Sequence, residues 1–494
     1  MNTKKNLDVA IIGAGLGGLS AAIHLAAQGL SVEVFEAQNT PGGKAAQVCL
    51  DGVWADTGPS VLTMTHTLDD LLKVAGTSLD EAIELVEPCP SFRYDYTDGC
   101  IIDVYPKLED TLYEIEKKLG QKHRVEFENF LSYSKNIWNA SAPHFLYGPA
   151  PTWASMIQLA FRHFSLITKV DPLRSMNKAI FSHVSSPHLR MLLQRYATYN
   201  GSDPRVAPAT LNCIAHVELA LGGFGVQGGI YTIISTLVDC AKKLGVRFHF
   251  NTPVQKIILK KKTVRGLILK DGNIIKANNI VANADSAFLK HQLLPTQQNT
   301  IRIPQPFSMS GWTGIFRAGH SIERVAHTVV FPKNYQQEFS DIFDKNIPPN
   351  EPTIYLCAQS TCHHRKGWDD AQPVFVMINT PPEPPQNPSP KHQWREVQKK
   401  VESILINRNW KNKDESFLWT RTPTELAKQY PGSRGAIYGA SSNNRFAAFT
   451  RPPNSIPQIS GLYLASGSAH PGGGMPLALL SGKASSIALL KENN

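Results

Sequence analysis

Residues 7–36 read LDVAIIGAGLGGLSAAIHLAAQGLSVEVFE, and the fold-level reading grows outward from this stretch. The apolar run Val9–Ile12 predicts a strand and the glycines at 13, 15 and 18 a tight turn; Leu19, Ala22, Ile23 and Ala26 give one buried face of a helix, and a second strand ends at Glu36. This is a βαβ unit carrying GxGxxG in its required context. Gly13 permits the turn, Gly15 lets backbone approach a pyrophosphate, and Gly18 allows close helix packing, while free N–H groups at the helix start face the phosphates. Glu36 then accepts hydrogen bonds from a ribose, and its charge disfavours a 2′-phosphate. The unit predicts a bound dinucleotide and leaves NAD and FAD both open.

A chain of 494 residues is long enough for two or three domains, and 42% hydrophobic with 18% charged residues is the composition of a folded globular protein. The net charge of +10 fits nucleic acid, anionic lipid or an acidic partner. No nucleic-acid motif accompanies it, and Lys260–Lys262 and Lys399–Lys400 read as a hairpin and a solvated helix face. The seven cysteines are odd in number and contain no CxxC, which argues against a disulfide framework. Cys357, Cys362, His363 and His364 cluster locally, but adjacent histidines on a strand point apart and the spacing matches no common site, so no metal is expected there. The run after Met1–Asn6 is broken by glycines and lacks a cleavage site, and no stretch reaches the ~20 apolar residues of a membrane span. The expected location is the cytoplasm.

Residues 61–222 change character: helical by pattern, aromatic, and broken by prolines. Strand patterns return in VRFHFNTPVQKIIL, TVRGLILKDG and IIKANNIVANAD, and TPPEPPQNPSP is a surface connection. The chain ends as GLYLAS, a glycine loop SAHPGGGMP and a helix. The expected organisation is an α/β, Rossmann-type nucleotide domain assembled from 1–60, 223–303 and 455–494, with an inserted α+β substrate domain from 61–222 and 304–454.

Beyond Glu36, Pro41-Gly42-Gly43-Lys44 and Asp56-Thr57-Gly58-Pro59-Ser60 resemble signatures of the amine oxidase and phytoene desaturase superfamily of flavoproteins. Residues 461–485, GLYLASGSAHPGGGMPLALLSGKAS, resemble the C-terminal flavin signature of bacterial carotenoid desaturases, and HVELALGGFGVQGG through IVANAD resembles the family's middle segment. RYATYNGSDPRVAPATL is most similar to desaturases of hydroxylated or methoxylated acyclic carotenoids, the hydroxyneurosporene type.

The resemblance implies FAD as cofactor, held by Gly43, Lys44, Gly58, Pro59 and Ser60 in addition to Gly13, Gly15, Gly18 and Glu36. It places Val254 against the adenine side and has the chain cross back toward the flavin at Asn283–Asp285. Gly467, Gly474, Met475 and Pro476 lie at the isoalloxazine, where a helix start near Pro476 directs its dipole at the flavin N1 and C2 carbonyl. The implied activity is desaturation of an acyclic carotenoid, a hydride passing to flavin and a proton to base or water, with quinone or oxygen as final acceptor. Carotenoid isomerisation and noncatalytic FAD or lipid binding are the alternatives.

Glu218 is the candidate for proton transfer, with a structural pairing to an arginine such as Arg195 as its other reading; Tyr196 and Tyr199 are candidate tunnel walls. A lipid-soluble substrate implies a peripheral position on the inner face of the membrane. Trp153, Met156, Ile157, Ala160, Phe161 and Phe164 share one helical face, beside Arg162, His163 and Lys169, as an interfacial helix or a core-facing one would.

Overall fold

In the computed structural model, which describes residues 6–152, 169–297, 300–386, 388–444 and 447–493, strand Leu7–Ile12 lies inside a sheet whose members come from distant parts of the chain. Val32–Phe35 pairs with it on one side, followed by Arg247–His249, and the far half of Ile274–Ala282 pairs on the other, followed by Leu462–Leu464. All these pairings are parallel. The near half of Ile274–Ala282 continues antiparallel into Thr263–Leu269 and then Val254–Lys260. The fold is α/β with a Rossmann-type, discontinuous parallel sheet.

Helix Leu16–Ala26 is buried on nearly every side because it packs against helix Tyr231–Lys243 and the C-terminal helix Met475–Asn493 as well as its own sheet. Small residues make that possible. A Cβ on Gly482 would lie 2.4 Å from the Gly17 carbonyl oxygen and 2.6 Å from Ser20 Cβ, and the Ser20 hydroxyl donates to the Leu479 carbonyl at 2.7 Å.

A second sheet runs in the order Phe417–Arg421, Ser310–Gly319, Ala371–Thr380, Ile354–Ala358, His327–Val330, Phe92–Asp95, Ile101–Val104. It is antiparallel except where His327–Val330 meets Phe92–Asp95. Helices Leu108–Leu119 and Gln121–Phe145 follow its edge hairpin, and their buried faces join Tyr94, Phe127, Phe130 and Tyr196 in one core.

Three sequence expectations are corrected. The segment 61–222 is not helical throughout: Phe92–Asp95 and Ile101–Val104 pair across a turn at 96–100, and their alternating apolar residues serve a sheet rather than a helix face. VRFHFNTPVQKIIL is two strands, Arg247–His249 and Val254–Lys260, because Asn251 takes positive φ and Pro253 supplies no N–H to a ladder. His363 and His364 lie at the end of the short helix Gln359–His363, not on a strand. Trp153–Phe164 and the associated Arg162 and His163 lie outside the described residues. Among the described residues no helix is long and apolar enough to cross a membrane.

Candidate functional site

The turn glycines are required by the protein's own packing. Gly13 sits at φ +95°, and a Cβ there would meet the Asn283 carbonyl oxygen at 2.6 Å; one on Gly15 would meet Asn283 Oδ1 at 2.7 Å. A Cβ on Gly18 would strike the Gly13 carbonyl at 2.2 Å. Asn283 closes this region by donating its backbone N–H to Ile12 and its side-chain N–H to the Ala465 carbonyl, which ties three strand ends together. Gly13, Gly15 and Asn283 line a cavity of about 1280 Å³, whereas Gly18 lies beneath it as packing.

At the end of the second strand Glu36 is buried in the cavity wall, its two oxygens accepting from the N–H groups of Ala14 (2.7 Å) and Gln38 (2.8 Å). Each oxygen retains acceptor capacity for a ligand hydroxyl. Val254 lines the same end.

Gly43 has φ +58°, and its carbonyl accepts from the Tyr430 hydroxyl at 2.5 Å. Lys44 is partly buried and donates to the carbonyls of Ala436 and Ile437, both at 2.8 Å. Burial pushes its pKa down to about 8, only partly offset by the Asp285 carboxylate. Gly58 must be bare because a Cβ would lie 2.2 Å from the Lys44 carbonyl; Pro59 and Ser60 continue the wall.

At the C-terminal end, helix Met475–Asn493 begins at the cavity, one residue earlier than the sequence suggests. Gly474, at φ +113°, has nothing within 4 Å of its Cβ position, so the backbone there stands open to the cavity. Gly467, Met475 and Pro476 line it too. Sequence reasoning missed Arg451, which donates to the Ala440 carbonyl at 2.9 Å and is lowered by burial to about 10, and Arg421, which donates to the Thr57 carbonyl at 2.7 Å. Both line the cavity with Lys44. Three cationic side chains, bare glycine backbone and a helix N-terminus suit an extended anionic ligand at this end.

The cavity continues into a wall that includes Trp138, Phe145, Leu173, Val217, Val329 and Phe375. Glu218 and Tyr199 face it, while Tyr196, wholly buried, lies behind the wall and does not line it. Glu218 accepts from Arg195 at 3.1 Å, from the Tyr196 hydroxyl at 3.0 Å and from the Tyr199 hydroxyl. The Arg195 guanidinium also donates to the Tyr94 hydroxyl at 2.8 Å and lies within 5.5 Å of the ring centres of Phe92, Tyr94, Tyr196 and Tyr199. The arginine pairing anticipated for Glu218 is present, inside an aromatic cage.

The chain matches the sequence family described as flavin containing amine oxidoreductase over residues 16–490. It is 32% identical over 494 residues to hydroxyneurosporene desaturase of Rhodobacter capsulatus, covering 99% of each chain. It is 31% identical over 492 residues to 1-hydroxycarotenoid 3,4-desaturase of a Flavobacterium species, covering 96% of this chain and 97% of the relative. A crystal structure of an oxidoreductase from Methanosarcina mazei superposes with a TM-score of 0.59 at 16% identity, covering 98% and 99% of the two chains.

Proposed function

Because this chain belongs to the flavin-containing amine oxidoreductase family and shares nearly its whole length with named carotenoid desaturases, we propose that it is an FAD-dependent desaturase of an acyclic, hydroxylated carotenoid. The observation that carries the reading is one cavity lined both by the glycine turn with Lys44, Arg421 and Arg451 and by apolar side chains such as Trp138, Phe145, Val217 and Phe375. An FAD fits the residues present. Glu36 and Val254 would hold its adenosine end, the bare backbone of Gly13, Gly15, Gly43 and Gly58 would admit the diphosphate, and Gly467, Gly474, Met475 and Pro476 would border the ring.

Bound flavin supplies the hydride acceptor, and quinone or oxygen is the final acceptor. The chain's own residues do the rest. The apolar wall positions a polyene that offers almost nothing to hydrogen-bond, and excludes water from the reacting carbons. Lys44, Arg421 and Arg451 supply positive charge beside the anionic cofactor. A substrate that dissolves in lipid implies a peripheral membrane position, which sedimentation with anionic liposomes tests: loss of binding as salt rises supports it, and no binding removes it.

The activity is tested by incubating the protein with FAD, an acyclic 1-hydroxycarotenoid and a quinone, then recording the polyene spectrum and acceptor reduction. A lengthened chromophore with stoichiometric acceptor consumption is expected. A spectral shift without acceptor consumption would replace desaturation by isomerisation, and no change with FAD bound would leave only binding.

A further inference from the structure

Behind the cavity wall at Ser60 and Tyr355, the second sheet gathers three soft ligand groups that no local spacing connects. His327 is the cross-strand partner of Cys357, and the short helix after Cys357 returns Cys362 to the same place. His327 Nε2 and the two sulfurs all lie within 4.8 Å of one another, and Cys362 Sγ is 3.3 Å from His327 Nε2. All three residues are buried. Ligands of a tetrahedral ion with bonds of ~2.1–2.3 Å stand about 3.4–3.8 Å apart, so contraction by roughly an ångström would close the set.

The sulfurs have polar surroundings, with Cys362 Sγ standing 3.8 Å from the Ser60 carbonyl. The Tyr355 hydroxyl is 2.8 Å from His327 Nδ1; in the tautomer in which Nδ1–H donates to that hydroxyl, Nε2 turns a lone pair inward, as in a metal-bound histidine with an outer partner. His363 Nδ1 accepts from the Val226 N–H at 3.1 Å, so in the neutral ring the proton sits on Nε2. That Nε2–H is buried without a hydrogen-bond partner. His364, at φ +47°, points the other way and reaches Gln227 Oε1 at 3.0 Å.

We propose that Cys357, Cys362 and His327 form a buried thiolate–imidazole site for a soft cation, zinc or copper(I). Two thiolates and neutral imidazole favour such ions over magnesium or calcium, and with Zn²⁺ the set is electrically neutral, as burial demands. Binding exchanges two thiol protons for one ion, with no change of oxidation state. The sequence points away from this site because His327 reaches it only through strand pairing.

The test is elemental analysis of the full-length flavin-loaded protein, expressed with added zinc or copper and desalted. One ion per chain is expected, lost in Cys357→Ser and Cys362→Ser and kept in His364→Ala; which element is found separates zinc from copper. Cobalt substitution of wild type should give ligand-field bands in the red, where oxidised flavin does not absorb. If the cysteine variants fail to fold, thiol titration of wild type with a mercurial decides. Exposed Cys49 and Cys89 should react without releasing metal, and the ion should leave with the buried class. A wild type without zinc or copper that takes up no cobalt, retention of the ion in both cysteine variants, or release with the exposed thiols would each overturn the proposal.

Discussion

Replacing Gly482 by alanine should destabilise the protein even though alanine is the better helix former. Gly482 lies inside helix Met475–Asn493, where glycine costs ~1 kcal/mol relative to alanine. Against that gain, the new Cβ would sit 2.4 Å from the Gly17 carbonyl oxygen and 2.6 Å from Ser20 Cβ, atoms of a helix itself wedged against the sheet. Neither neighbour is the free end of a flexible chain, so the helices must part, at a typical overpacking cost of about 1–3 kcal/mol. Parting them also strains the Ser20 hydroxyl bond to Leu479, worth ~1 kcal/mol. The net expectation is a loss of about 1–3 kcal/mol, or roughly 2–12 °C for a cooperative unit of ~200 residues. Melting followed by release of flavin fluorescence measures it, with Ser20→Ala reporting the hydrogen bond alone. Because the same helix begins at the cavity, flavin should leave at a lower temperature than that of global unfolding of wild type. A melting point equal to or above wild type would refute the helix crossing described here.

Lys44, pushed down to about 8 by burial from 10.5, is cationic below pH 8 and neutral above it, so affinity for the anionic cofactor should fall as pH rises from 7 to 9.5 and become flat in Lys44→Met; a flat wild-type profile by flavin titration contradicts this. The sign for folding of the free protein is opposite, since a depressed lysine penalises the fold fully below pH 8 and the penalty is relieved as pH climbs toward 10.5. Gly474→Val forces a β-branched residue into φ +113° at a cost of roughly 1–3 kcal/mol, and should lower the flavin reduction potential and turnover while the nucleotide end still binds; a redox titration with unchanged potential removes the assignment. Glu218→Gln leaves the Arg195 guanidinium buried without a counter-charge and should cost about 3–5 kcal/mol, much of it recovered in Arg195→Met/Glu218→Gln; denaturant unfolding that finds the single variant as stable as wild type shows that the pair does not hold the cage.

What the sequence made legible was local. The strand, glycine turn, helix and Glu36 are contiguous, and each residue type answers to a backbone demand that a reader can state without coordinates. The same holds for Gly43, Gly58 and the loop before Met475, whose glycines meet the wall or take positive φ. Partners across the chain were hidden. Nothing near Gly13 announces that Asn283 fills the space a Cβ would need, and Arg421 and Arg451 look like any surface arginines until burial and their carbonyl acceptors are seen. Tyr196 and Tyr199 show the same ambiguity on a smaller scale: three residues apart, they share Glu218, yet only Tyr199 reaches the cavity.

The Glu218 cage bears on where catalytic power can reside. Its carboxylate already accepts from a guanidinium and two phenol hydroxyls, so each lone pair spent on those donors is one that a substrate hydrogen cannot use. The cationic groups Lys44, Arg421 and Arg451 that line the cavity are themselves anchored to backbone carbonyls. A site furnished this way has little side-chain chemistry to offer a polyene. It can supply a shaped apolar wall, a dry volume and a fixed distance to the cofactor. Rate should therefore respond more to substitutions that change wall volume, such as Phe375→Ala or Val329→Phe, than to conservative changes at Glu218 that preserve the fold, because the lone pairs of Glu218 are already committed and the wall sets the orientation of the substrate.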